Sequence, residues 1–260
     1  MHVLIISGAS LALILTLMFL LWLLSLARKD ASIVDTFWGI GFTAVAWMCF
    51  AITSGYALRK LLITMLVTIW GLRLALHIFR RNHAAGEDFR YRRMRARHKE
   101  RFALVSLFTV FGLQGLLMWL ISLPIQMAQQ SPVPDRLTWL DILGIVVWII
   151  GFVFEAVGDW QLMRFKADPN NLGKVMRRGL WAYTRHPNYF GDATLWWGLF
   201  FIALATPGSL WIIISPIAMS FLLMKVSGVA LLEKSLVKTR PEYQDYIRRT
   251  SAFFPWIPRR

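Results

Sequence analysis

Long apolar blocks alternate with short polar segments along the 260-residue chain. A helix of about 20 apolar residues spans a bilayer, and Gly or Pro inside such a helix is tolerated. The first block lacks a small-residue cleavage site, so we expect it to stay as a helix rather than be removed as a signal peptide. The pattern predicts an all-α polytopic membrane protein with seven transmembrane helices near residues 3–27, 31–53, 61–79, 102–127, 137–160, 189–206 and 208–232.

Composition supports this prediction. The chain is 57% apolar, has a mean hydropathy of +0.53 and contains 13 Trp, which excludes an ordinary soluble domain. We found no internal repeat, and we expect one membrane domain over residues 1–260.

The formal net charge of +15 is distributed unevenly. Nine Lys or Arg lie at 80–101, six at 161–187 and seven at 233–260, whereas the alternate loops carry only Arg59, Lys60 and Arg136. The positive-inside rule then predicts an outside N-terminus and a cytosolic C-terminus. No nucleic-acid-binding signature accompanies the basic runs, so we expect membrane lipid and no nucleic acid as partners.

Cys49 is the only cysteine, and the histidines show no ligand spacing with carboxylates, so we assign no metal. There is no Gly-x-Gly-x-x-Gly after a strand, and any dinucleotide must bind without a Rossmann unit.

Ionisable residues inside the apolar blocks are functional candidates, because membrane interiors penalise them. By the topology above, most of them lie toward the cytosolic side, which predicts one polar pocket open to the cytosol. The alternative is structural ion pairing, for example of Arg73 with Asp35 or of Lys225 with Asp192. The residues of the predicted pocket are Asp35, Arg73, His77, Glu155, Asp159, Asn188 and Asp192.

The run Tyr-Thr-Arg-His-Pro-Asn-Tyr-Phe-Gly-Asp at 183–192 stands where a basic loop meets the sixth block. Pro187 suits the first turn of a helix, whose free N–H groups, with Arg185 and His186, would seat an anion. The alternative is a helix start with ordinary anchoring charges.

Polar loops add to this site. Lys166 and Lys174 flank a turn and suit a ligand with several phosphates. The run Gly-Glu-Asp-Phe-Arg-Tyr at 86–91 interrupts the arginines, although a solvated charge run would also explain it. Residues 233–246 predict an amphipathic helix, and an aromatic anchor follows at 253–256, so that the tail could act as a lid.

Four motifs together resemble the bacterial branch of the steroid 5-alpha-reductase family. They are Asp-Thr-Phe-Trp-Gly at 35–39, Glu-Asp-Phe-Arg-Tyr at 87–91, Arg-His-Pro-Asn-Tyr-Phe-Gly-Asp at 185–192, and Pro-Glu-Tyr-x-x-Tyr with Phe-x-Pro-Trp in the tail. The resemblance covers residues 31–258. It implies seven helices, NADPH as cofactor, and reduction of the Δ4 double bond of a 3-oxo steroid or similar enone lipid. We expect the protein to be a monomer in the bacterial inner membrane.

The resemblance also implies site residues. Asp35 and Trp70 match the Glu and Tyr that hold the substrate ketone in the animal enzymes, and both are therefore expected to be catalytic. Lys166 and Lys174 match positions near the adenosine phosphate, while Glu155 replaces an Asn. The expected cofactor-binding residues are Arg73, His77, Arg90, Tyr91, Glu155, Asp159, Lys166, Lys174, Tyr183, His186, Asn188 and Asp192.

Two other functions remain open. Isoprenylcysteine carboxyl methyltransferases share the Arg-His-Pro-x-Tyr-x-Gly element and use S-adenosylmethionine, but this cofactor has no phosphate to require paired lysines. A lipid-binding scaffold would not need several buried carboxylates at one depth.

Overall fold

The computed structural model describes residues 2–82, 86–226, 229, 233, 236, 237 and 239–258. These residues are helical apart from loops and turns, and their only strand-like feature is a bridge between Thr184 and Ser251. The all-α prediction is therefore confirmed. The helices are α1 His2–Arg28, α2 Ile33–Ile52, α3 Ala57–Asn82, α4 Phe89–His98, α5 Phe102–Ser106, α6 Leu113–Ile121, α7 Leu123–Ala128, α8 Trp139–Ala167, α9 Pro187–Leu204, α10 Ile214–Phe221 and α11 Tyr243–Arg249.

Five helical segments of the described chain are long and apolar enough to span a membrane. They correspond to the first five predicted spans and are Val3–Arg28, Ile33–Ile52, Ala57–Asn82, Phe89–Ile121 and Trp139–Ala167. The sixth predicted span falls on α9, which has 18 residues. The seventh contains a shorter apolar helix, Leu210–Val226, and otherwise lies largely outside the described residues. Multi-pass membrane character follows from the five segments, while the count of seven stays a prediction.

The chain divides into two compact units by its internal contacts. The first unit comprises Met1–Thr138 with Ile202–Ile212, and the second comprises Trp139–Phe201 with Ile213–Arg260.

In the first unit, α2 and α3 approach each other closely at two glycines. A Cβ built on Gly39 would lie 2.0 Å from the Gly71 carbonyl oxygen, and one on Gly71 would lie 2.4 Å from that of Gly39. Small residues let membrane helices pack backbone to backbone. This crossing fixes the neighbouring turns of both helices, which carry Asp35, Trp70 and Arg73.

The basic segment at 80–101 contains a helix, α4, which the charge pattern did not predict. Asp88 caps its start by accepting a hydrogen bond from the Arg90 backbone N–H, which satisfies one of the free donors of a first turn. The segment continues into α5 and then into a π-helical turn, Leu107–Gly112.

In the second unit, α8 and α9 pack along a glycine seam. Gly151 and Gly158 stand seven residues apart on α8, and Gly191 and Gly198 do so on α9. A Cβ on Gly191 would lie 2.3 Å from the Glu155 backbone nitrogen. The seam sets the C-terminal half of α8 against the first turns of α9.

We expect Leu137 to face outside and Arg97 to face the cytosol, because the basic loops alternate. Both side chains are exposed, and the native Cys49 is buried. In sealed cells, a membrane-impermeant thiol reagent should label Leu137→Cys, and should label Arg97→Cys only after permeabilisation. The unmodified protein is the control, and labelling of both variants from one side would contradict the predicted orientation.

Candidate functional site

Asp35, in the first turn of α2, lies at the centre of a polar cluster in the first unit. Its carboxylate accepts a hydrogen bond from Arg90 Nη2 at 2.7 Å and one from the Tyr91 hydroxyl at 2.8 Å. Gln114 Nε2 donates to the same hydroxyl at 3.3 Å, and Trp38 Nε1 donates to Gln114 Oε1 at 2.7 Å. The structure thus joins a predicted catalytic residue to two residues that were predicted to bind the cofactor.

Two acidic residues before α4 anchor that helix. Asp88 Oδ1 accepts from the backbone N–H and from Nε of Arg90, at 2.8 and 2.9 Å. Burial of the Asp88 carboxyl opposes ionisation, but its hydrogen bonds with Arg90 outweigh burial and lower its pKa. Glu87 accepts from the Ala31 backbone N–H at 2.9 Å and pairs with Arg95 at 2.8 Å. The run at 86–91 is therefore bound to the turn before α2 and is not a solvated charge run.

Three further predicted residues lie on α3. Trp70 is 1% exposed, and its ring centroid lies 5.7 Å from that of Phe42. Arg73 and His77 are half-buried and one helical turn apart, which gives α3 the predicted basic face.

In the second unit, the predicted acidic residues of α8 meet the start of α9. Glu155 and Asp159 are buried and one turn apart, and Asp192 is buried on α9. Asn188 Nδ2 donates to Asp159 Oδ1 at 3.0 Å. The glycine seam thus brings two predicted cofactor residues into direct contact.

The Arg-His pair before α9 binds an acidic side chain of the same unit. Arg185 Nε and Nη2 donate to the two carboxylate oxygens of Glu233 at 2.7 and 3.0 Å. His186 Nε2 lies 3.0 Å from Glu233 Oε1, and the His186 ring stacks on that of Tyr189. Arg185 and His186 are therefore paired with a carboxylate of the protein itself, and the seat for an anionic ligand stays a prediction.

The same segment holds the C-terminal tail. Arg185 Nη1 donates to the carbonyl oxygens of Ile247 and Thr250, and Thr184 Oγ1 donates to that of Phe253 at 2.8 Å. The Trp256 backbone N–H donates to the carbonyl oxygen of Tyr183, whose side chain is exposed. The tail is thus bound through its backbone to residues 183–185.

Glu233 predicts a pH dependence of stability. Burial of its carboxyl opposes ionisation, but hydrogen bonds from His186 and Arg185 outweigh burial and lower the pKa from 4.5 to about 2. Since the folded pKa is depressed, the stabilisation is complete above pH 4.5 and is lost as the pH falls toward 2. We expect Glu233→Gln to flatten this part of the plot of thermal unfolding midpoint against pH. Glu242→Gln is the control, because the Glu242 side chain is 68% exposed. If the unfolding midpoint depends on pH in the same way in both variants, Glu233 does not cause the loss of stability at low pH.

The turn after α8 forms one wall of a groove in the second unit. Asp168 caps the turn by accepting from the Asn170 backbone N–H at 2.9 Å, and Gly173 has a φ of +79°. The groove has a volume of about 120 Å³, which suits a phosphate or a sugar rather than a whole dinucleotide. Its polar lining is Lys166, Asp168, Asn171 and Arg240. Lys174 is exposed beside it, and its carbonyl oxygen accepts from Arg240.

Sequence reasoning missed five residues of these clusters. Gln114 could have been found as a polar amide in an apolar block, and Glu233 as the sole acidic residue between Asp192 and Glu242. Trp38, Asp88 and Arg240 carried no comparable signal, because Trp and charged loop residues are common in this chain.

Comparison with known proteins gives a family match over most of the chain and a reductase match over a short part. The model of the family described as Protein of unknown function (DUF1295) matches residues 21–250. An uncharacterized protein of Schizosaccharomyces pombe is 26% identical over 261 residues, which are 90% of this chain and 75% of the yeast protein. Steroid 5-alpha-reductase DET2 of Arabidopsis thaliana is 39% identical over 61 residues, which are 23% of each chain. No solved structure matches the chain.

Proposed function

The chain belongs to the DUF1295 family, and we propose that it is a membrane reductase. It would use NADPH to saturate the double bond of an enone lipid, in the first place a 3-oxo-Δ4 steroid. The short match to a plant steroid 5-alpha-reductase supports the reaction class. The observation that carries the proposal is the cluster of Asp35, Arg90 and Tyr91 at the end of a membrane helix. The Arg90 guanidinium of this cluster is a hydrogen-bond donor that suits a carbonyl in an otherwise apolar substrate.

The residues of the second unit fit a phosphorylated cofactor. Two cationic side chains, Lys166 and Arg240, line a groove about as large as a phosphate or a sugar, and Lys174 is beside it. Asn188 carries an amide that could pair with a carboxamide such as that of nicotinamide. We assign the phosphate to the groove and the carboxamide to Asn188.

When bound, NADPH supplies a hydride for the double bond. Addition at the β-carbon places negative charge on the carbonyl oxygen of the enone. Donors held near that oxygen before the reaction stabilise the charge, and they act most strongly where water is excluded. The polar residues of the first unit would stabilise the charge on the carbonyl oxygen.

The first experiment asks which nucleotide the protein carries. We expect mass spectrometry of the supernatant from the purified, denatured protein to detect NADPH or NADP⁺, and a 3-oxo-Δ4 steroid to be reduced when NADPH is added. S-adenosylmethionine in the supernatant would select the methyltransferase. If neither NADPH nor NADP⁺ is detected and the 3-oxo-Δ4 steroid is not reduced, the proposed reductase function is refuted.

Lys174→Glu is expected to narrow or abolish a preference for NADPH over NADH. The 2′-phosphate adds about two negative charges near neutral pH, and an introduced carboxylate beside the groove would repel them. Dissociation constants of both nucleotides are the measurement, and Arg136→Glu, with the same change of charge in another loop, is the control. Equal affinity of the unmodified protein for NADPH and NADH would contradict the phosphate assignment.

A further inference from the structure

Asp35 is an acceptor of hydrogen bonds in this structure. The Arg90 guanidinium lies 2.7 Å from one carboxylate oxygen, and the Tyr91 hydroxyl donates to the other. An arginine is always protonated, and a carboxylate held this close to a guanidinium is stabilised as the anion. Because both carboxylate oxygens of Asp35 already accept hydrogen bonds, a different group of the cluster is better placed to donate to a substrate ketone.

Tyr91 is held from two sides. Its hydroxyl donates to Asp35 and accepts from Gln114, and Gln114 is oriented in turn by Trp38. Gln114 lies two residues after the π-helical turn Leu107–Gly112, and such turns shift the register of a helix and occur often at functional sites. With its proton committed to Asp35 and only 6% of the residue exposed, Tyr91 is suited to holding Asp35 in place.

Arg90 keeps a donor for a ligand. Its Nε and Nη2 bind the carboxylates of Asp88 and Asp35, while Nη1 donates no hydrogen bond to any residue that the structure describes. The side chain is 38% exposed, whereas that of Asp35 is 16% exposed. Arg81 also acts electrostatically on both carboxylates, so that two cations balance two anions. The guanidinium is therefore fixed in direction, permanently charged and partly accessible.

We propose that Arg90 is the catalytic donor to the carbonyl oxygen of the enone, and that Asp35, Tyr91 and Gln114 are positioning residues. The proposal rests on the reductase function. It assigns Arg90 and Tyr91 to the substrate-binding site, whereas the sequence predicted that they bind the cofactor. As a hydride adds to the β-carbon, the electrons of the carbon–carbon double bond shift and leave an enolate oxygen, to which Arg90 donates a hydrogen bond. Arg90 keeps its proton, and a water molecule supplies the proton that closes the reduction at the α-carbon. The hydroxide that remains takes up a proton from the solvent.

A binding experiment without nucleotide tests Arg90 directly. The probes are a 3-oxo-Δ4 steroid and the matching steroid without the 3-oxo group, titrated into the full-length protein in lipid nanodiscs. Arg90→Lys should weaken binding of the ketone by about tenfold, the scale of one hydrogen bond to a charged group. It should leave binding of the deoxy steroid nearly unchanged. Arg97→Lys, on an exposed position of α4, is the control.

The outcomes separate the two proposals. Suppose that the unmodified protein binds the ketone more tightly, but Arg90→Lys weakens the binding of both steroids equally or of neither. Arg90 is then not the donor, although the proposed reductase function still holds. If the unmodified protein neither prefers the ketone nor reduces it, the steroid reductase function itself fails. Arg90→Gln keeps neutral donors and serves as the second variant if Arg90→Lys does not fold, and the same loss of preference for the ketone is expected of it.

Discussion

Replacing Asp35 by Ala is expected to slow hydride transfer to an enone substrate by roughly a hundredfold or more, the scale for losing one oxyanion-stabilising group. The carboxylate holds Arg90 and Tyr91, so its removal leaves both side chains without this acceptor. NADPH affinity should change little if these residues serve the substrate. Single-turnover hydride transfer and nucleotide affinity, measured side by side, test the expectation.

Two conservative variants distinguish the possible roles of Asp35. Asp35→Asn keeps a donor and loses the charge, whereas Asp35→Glu keeps the charge and cannot donate when ionised. If Asp35 itself donates to the ketone, as the family resemblance implies, the Asp35→Asn variant retains more activity than Asp35→Glu. If Asp35 holds Arg90 in place, the Asp35→Glu variant retains more activity than Asp35→Asn. If both variants also lose affinity for NADPH, Arg90 and Tyr91 bind the cofactor rather than the substrate.

Gly191→Ala is expected to destabilise the protein by about 1–3 kcal/mol or more, the cost of overpacking a close contact. The new Cβ would lie 2.3 Å from the Glu155 backbone nitrogen and 2.5 Å from the Gly151 carbonyl oxygen, and backbone atoms cannot rotate away. Forcing α8 and α9 apart would also separate Asn188 from Asp159, so nucleotide affinity should fall together with stability.

The measurements for Gly191→Ala are the thermal unfolding midpoint in detergent and the dissociation constant of NADPH. Gly8→Ala is the matched control, because nothing lies within 4 Å of a Cβ at that position of α1. Stability equal to that of the control would show that the two helices tolerate a wider spacing.

The positions of the membrane helices could be read from the sequence. Hydropathy is a property of each segment alone, so the blocks predicted α1, α2, α3, the fourth span and α8 closely. The one-turn spacing of Glu155 with Asp159 and of Arg73 with His77 also depends on a single helix, so it could be predicted from the sequence. The same holds for the turn at Asp168. By contrast, α4 was missed because a run of arginines is typical of a cytosolic loop, and its helix depends on the Asp88 cap.

The pairing of the polar residues was decided by tertiary structure. Asp35 and Arg90 are 55 residues apart, and Arg185 and Glu233 are 48 apart. Residue types alone predicted Arg73 as a partner for Asp35 equally well, because any cation at the right depth attracts a buried carboxylate. The close glycine contacts set how α2 crosses α3 and how α8 crosses α9, and the Asp88 cap sets the direction of Arg90. The sequence by itself therefore determined which segments are long and apolar enough to span a membrane and which polar residues they carry. Only helix packing decided which of those residues meet.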